Sequence, residues 1–148
     1  MIPNLIFLIC LIVIGFGLWK IKQTCWHKGI SVGDTALVKK LLDEGADINA
    51  KDDGLSLLIK AASAGYLKTA KLLIDQKADI DARSNEGNTA LMAASMAGYT
   101  KIVELLVNAG ADIKAINNMG YTAEMYANEK GFTNVTQLLS QGASDQRS

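Results

Sequence analysis

Gly87-Asn88-Thr89-Ala90-Leu91-Met92-Ala93-Ala94-Ser95-Met96-Ala97-Gly98-Tyr99 is the clearest copy of a phrase that recurs along the chain. An apolar run, Leu105-Leu106-Val107, follows it, and the phrase closes on Gly110-Ala111-Asp112-Ile113. Related copies end in Gly45-Ala46-Asp47-Ile48-Asn49-Ala50 and in Lys77-Ala78-Asp79-Ile80-Asp81-Ala82. Gly33, Gly65, Gly98 and Gly131 are spaced 32, 33 and 33 residues apart. A fixed period of this length predicts stacked helical units, none of which can bury its apolar face alone. Such a stack offers a surface for binding rather than a pocket for catalysis.

Each recurring position has a physical reason. Thr24, Ser56, Thr89 and Thr122 are natural N-caps for the first helix of a unit. The glycines that close these helices suit a left-handed cap. Small residues, Ala61-Ala62 and Ala94-Ser95, let neighbouring helices approach. Leu41-Leu42, Leu72-Leu73, Leu105-Leu106 and Leu138-Leu139 carry the apolar stripe of the second helix. The short first spacing places a missing residue near Lys51-Asp52-Asp53, at a turn tip where deletions are tolerated.

These motifs resemble the ankyrin repeat, whose unit combines a T-P-L-H cap, a small-residue helix, an apolar second helix and a G-A-D turn. The resemblance covers about residues 22–142 and implies four units, at 22–51, 52–84, 85–117 and 118–142. It departs from the pattern in places. Cys25, Leu57, Ala90 and Ala123 stand at the proline position, and Ile59, Met92 and Met125 replace the motif histidine. Those losses predict modest stability on the same fold. Glu124 at an apolar position and Asn128 at an alanine position are expected to loosen the fourth unit. Ser140 and the polar tail 143–148 read as a C-terminal cap.

Composition divides the chain in two. No charged side chain occurs from Ile2 to Trp19, 18 residues or about 27 Å as a helix, close to the thickness of a bilayer core. Trp19, Lys20 and Lys22 then fit an interfacial boundary. The expectation is an uncleaved transmembrane anchor at 1–21, since a signal peptide wants a basic start and a small-residue cleavage site. The first 28 residues carry three lysines and no acid; residues 29–148 carry 12 basic and 15 acidic residues, a net of −3. The flanking lysines place the body in the cytoplasm. An acidic body argues against nucleic acid.

No catalytic constellation is present. His27, the single histidine, falls on the motif position and reads as a structural hydrogen-bonding residue. Cys10 and Cys25 cannot form a disulfide framework. Cys25 and His27 are too few for a zinc site, and their spacing turns them to different helix faces. Asp47, Asp79 and Asp112 recur at the repeat period and read as turn residues, while Asp43-Glu44 and Asp52-Asp53 read as solvated. No cofactor, metal or small-molecule substrate is expected.

Recognition is left as the function. The resemblance implies contacts at the loop tips and on the concave face of the first helices. Carried over, the candidate residues are Asp53, Leu55 and Ser63 in the second unit. In the third they are Asn85, Glu86, Asn88 and Met96, and in the fourth Asn118, Met119, Tyr121, Glu129 and Lys130. The expected protein is an all-α ankyrin-repeat solenoid with hairpin-like loops, preceded by one N-terminal transmembrane helix. It would hold a protein partner at the membrane. Two alternatives stand beside this reading: a structural subunit of a membrane complex, and an inhibitor of the immunity type that neutralises a toxic partner.

Overall fold

The computed structural model describes residues 33–145. Among them are α1 (Thr35–Asp43), a hairpin of β1 (Lys51–Asp52) and β2 (Leu55–Ser56), then α2 (Leu57–Ala64) and α3 (Leu67–Asp75). They are followed by α4 (Ala90–Ala97), α5 (Thr100–Asn108), α6 (Ala123–Lys130) and α7 (Thr133–Asp145). The expected anchor at 1–21, the first helix of the first unit, and Cys10, Cys25 and His27 lie outside the described residues. Within the described residues no helix is long and apolar enough to cross a membrane.

The helices start and stop for local chemical reasons. The side chains of Ser56, Thr89 and Thr122 accept hydrogen bonds from the backbone N–H groups of Ile59, Met92 and Met125, at 3.3, 3.4 and 3.2 Å. Each bond satisfies a donor that the first helical turn leaves without a partner. α2 and α4 end at Gly65 and Gly98, with φ of 80° and 76°. A second constraint acts there. A Cβ at Gly65 would lie 2.8 Å from the Tyr99 ring, and one at Gly98 would lie 2.8 Å from the Phe132 ring. The aromatic residue that begins each outer helix thus rests on the cap of the preceding unit.

The units stack in two rows. α2, α4 and α6 lie side by side in one row; α1, α3, α5 and α7 form the other. Between the rows runs a continuous core that includes Leu58, Leu73, Leu91, Met92, Ile102, Leu106 and Leu139, all essentially without exposure. Full burial of each such side chain contributes about 1.5–3 kcal/mol. Ala61, Ala62 and Ala94 are also fully buried and set the close spacing of the first row.

The loops link the units independently of the core. Asp47, Asp79 and Asp112 each accept a hydrogen bond from the backbone N–H two residues on, at 2.9, 3.2 and 2.9 Å. Asn49 Oδ1 accepts from the N–H of Asp79, and Asp81 Oδ1 from that of Asp112, both at 2.9 Å. The recurring aspartates are therefore turn residues, and their neighbours tie one unit to the next.

The residue missing near position 52 changes the type of turn. In the third unit Asn85-Glu86-Gly87 forms a three-residue tip, with Ser84 N–H donating to the Asn88 carbonyl at 2.9 Å and Gly87 at φ 79°. In the second unit Asp52 pairs directly with Leu55, leaving the two-residue tip Asp53-Gly54 at φ 50° and 78°. Positive φ at both central residues marks a type I′ turn, the favoured two-residue hairpin connection. The deletion is absorbed by exchanging one standard turn for another.

Three expectations need correction. Asp52 is not simply solvated: its carboxylate pairs with the Lys60 ammonium, and both side chains are partly buried. The tail begins later than expected, because α7 continues through Gly142 to Asp145. Earlier units leave the outer helix through Gly45, Lys77 and Gly110 at φ of 86°, 66° and 91°. Ala143 stands at the equivalent place, and a residue with a Cβ favours continuing the helix over the left-handed exit.

The third correction concerns Glu124 and Asn128. Their counterparts in the third unit, Leu91 and Ser95, are buried beneath the fourth unit. Asn128 is exposed, and its Oδ1 accepts a hydrogen bond from Thr136 Oγ1 at 3.0 Å, joining α6 to α7. Met125 is 51% exposed, against 3% and 1% for the equivalent Ile59 and Met92. Both lie outside the core, Glu124 half-exposed and Asn128 exposed, so the burial penalty behind the expected loosening does not arise.

Candidate functional site

One groove runs along the inner row of helices. It has a volume of about 160 Å³ and is lined by Leu55, Ile59, Ser63, Ser84, Glu86, Asn88, Met92, Ala93, Met96 and Tyr126. Every lining residue comes from a hairpin loop or a first helix; none comes from the outer row. The period explains this: Leu55 and Asn88 stand just before the N-caps Ser56 and Thr89, and Ser63 and Met96 stand two residues before the closing glycines. Stacking brings these equivalent positions of adjacent units side by side.

The floor is apolar and the rim polar. Ile59 and Met92 are almost fully buried beneath it, whereas Met96 is 44% exposed. Tyr126 reaches in from α6, and its ring lies 5.1 Å from that of Tyr121 between centroids. Behind the rim sits Asn117, buried and fully engaged. Its side-chain nitrogen donates to Asn88 Oδ1 and to the Tyr126 hydroxyl oxygen, both at 2.8 Å. Its Oδ1 accepts from the N–H groups of Met119 and Tyr121 at 3.0 and 2.9 Å. The Asn88 amide nitrogen in turn donates to Glu86 Oε2 at 3.1 Å.

The candidate residues divide into groups on this framework. Leu55, Ser63, Glu86, Asn88 and Met96 come together in the groove. Met119 and Tyr121 are exposed at the fourth hairpin, with Met119 65% exposed, and Glu129 and Lys130 are exposed at the end of α6. Asp53 occupies the tight turn of the second hairpin. Asn85 and Asn118 knit tips together: the Asn118 side chain donates to the Asn85 carbonyl, and its N–H to the Glu86 carbonyl, both at 3.0 Å.

Sequence reasoning missed Ile59, Ser84, Met92, Ala93 and Tyr126 as lining residues, and Leu67, Tyr99, Ile116 and Met125 as exposed apolar ones. Tyr126 was legible in principle: it stands where the third unit has Ala93, and a large residue there must fill the gap in front of its neighbour.

A family model described as ankyrin repeats in three copies matches residues 26–117, more than half of the chain. The chain belongs to the ankyrin-repeat family. The fourth ankyrin unit lies beyond that match, and its cap at Thr122, its closing Gly131 and its place in the stack identify it. Serine/threonine-protein kinase 12 of Arabidopsis thaliana is 38% identical over 58 residues, which are 38% of this chain and 13% of that protein. The chain thus shares only a small part of that kinase's length, and the likeness falls on the ankyrin repeats. Ankyrin repeats are protein–protein interaction modules and typically do no chemistry of their own.

Proposed function

We propose that this protein is a membrane-tethered adaptor whose ankyrin surface captures a protein partner at the bilayer. The observation that carries the binding reading is the groove, built wholly from hairpins and first helices and floored by apolar side chains. An exposed apolar surface of this kind, rimmed by oriented polar groups, suits a protein contact. The tether rests on the uncharged run Ile2–Trp19 and on Lys20, Lys22 and Lys28 after it, which favour a cytoplasmic ankyrin domain.

The test is affinity capture of the full chain from membranes, repeated with Met96→Ala, Met119→Ala and Tyr121→Ala combined. The triple variant is expected to lose its partner while keeping its circular-dichroism spectrum and melting temperature. Unchanged capture would remove the groove and fourth-hairpin surface from the reading. A topology reporter fused after Ser148 is expected to be active on the cytoplasmic side, and release of the chain by alkaline extraction would refute the tether.

A further inference from the structure

Two polar groups of the groove are pre-aimed. Asn117 donates a hydrogen bond to the Tyr126 oxygen, so that oxygen is an acceptor. The hydroxyl hydrogen has no acceptor among the described residues. Glu86 is exposed, and one of its carboxylate oxygens accepts from Asn88 Nδ2 at 3.1 Å. Asn88 is itself held by Asn117 at 2.8 Å. A single buried asparagine thereby orients a hydroxyl donor and a carboxylate on the same apolar groove.

The cations of the neighbouring loops are committed elsewhere. Lys60 pairs with Asp52. Lys51 Nζ donates to the Arg83 carbonyl, and the Arg83 guanidinium to the Ile116 carbonyl, both at 2.9 Å. Glu86 has no ion-pair partner among the described residues, and Asp53 is exposed on the adjacent tip. Lys51 and Arg83 keep their charge but neither pairs with Glu86, so the Glu86 carboxylate is open to a partner's cation beside the apolar floor.

We infer that the groove binds an extended segment of a partner protein that carries an apolar side chain close to a lysine or arginine. This rests on the groove reading of the proposed function and adds the chemistry of the partner. The apolar side chain packs against Leu55 and Met96 above the buried Met92, and the unbranched, exposed Met96 adapts to its shape. The cation pairs with the oriented Glu86 carboxylate, a charge-assisted contact. Tyr126 donates its hydroxyl hydrogen to a carbonyl of the segment.

The test selects from a random-sequence peptide library on the full chain, held in detergent micelles through a tag after Ser148. The enriched peptides are expected to combine Leu, Met or Phe with a nearby Lys or Arg. Glu86→Lys is expected to turn that preference toward Asp and Glu, and Tyr126→Phe to weaken a selected peptide about three- to ten-fold. Glu86→Lys should keep the parent melting curve within a few degrees, since Glu86 is exposed and holds the next hairpin through its backbone carbonyl. Tyr126→Phe removes an acceptor of Asn117, so its binding is measured where its circular-dichroism spectrum matches the parent's. Enrichment without a cation, or a preference unmoved by Glu86→Lys, overturns the inference. If Met96→Asp still abolishes selection in that case, the groove reading survives alone. No enrichment, or enrichment indifferent to Met96→Asp, overturns both.

Discussion

Lys77 carries the clearest single-residue conflict in the molecule. It exits α3 at φ 66°, in the place that Gly45 and Gly110 occupy in neighbouring units. A side chain with a Cβ is strained there by about 1–2 kcal/mol, part of which a glycine would return to unfolded-chain entropy. Lys77→Gly is expected to stabilise the protein by about 1 kcal/mol, read as a higher denaturant midpoint at unchanged slope. Asn117 is the opposite case. It is buried and uses four hydrogen bonds to hold the fourth hairpin, Asn88 and Tyr126. Asn117→Ala leaves several of those partners without one another and is expected to cost about 2–3 kcal/mol. The same denaturant titration checks it, and a loss below about 1 kcal/mol would mean water replaces the amide.

At the scale of the element, the turn between first and second helix does two jobs. Gly65 and Gly131 share a positive φ, 80° and 74°, but only Gly65 has an aromatic ring against it. Nothing lies within 4 Å of a Cβ built at Gly131. Gly131→Ala should cost about 1–2 kcal/mol for backbone strain alone. Gly65→Ala should cost more than that, because the Tyr99 ring must also move. Equal losses in thermal unfolding would show that the ring contributes nothing to stacking. The hairpins follow a similar logic: the second tolerates one residue fewer because a type I′ turn closes two residues as well as a bulged turn closes three.

For the whole of the described stack, polarity sets apart the outer face of the fourth unit. Leu91 and Met92 of the third unit are buried by the fourth, whereas Glu124 and Asn128 make the corresponding face of the fourth unit polar. Glu124→Leu with Asn128→Ala would restore the apolar face beside exposed Met125. That double variant is expected to self-associate with rising concentration, seen by sedimentation velocity, while the parent ankyrin domain shows no such dependence on this face. An unchanged sedimentation coefficient would mean that the two polar residues are not what keeps the edge solvated.

Much of this was legible in the chain. The 33-residue period, the caps at Ser56, Thr89 and Thr122 and the glycines at 65, 98 and 131 are local signals, each set by a hydrogen bond or a φ value within a few residues. That is why they predict the helices and their order so well. The aspartates at 47, 79 and 112 were readable for the same reason. What depends on neighbours was not. Glu124 reads as a defect in isolation and as a cap only when the face it occupies is known. Leu55, Ser63, Glu86, Asn88, Met96 and Tyr126 come from three units, and their meeting is a property of stacking. The chain alone is enough to predict stacked ankyrin units, because every rule involved acts within one unit. Which side chains share a groove, and which carboxylate faces it, emerges only when the units stack, because both depend on distances between residues about a repeat apart.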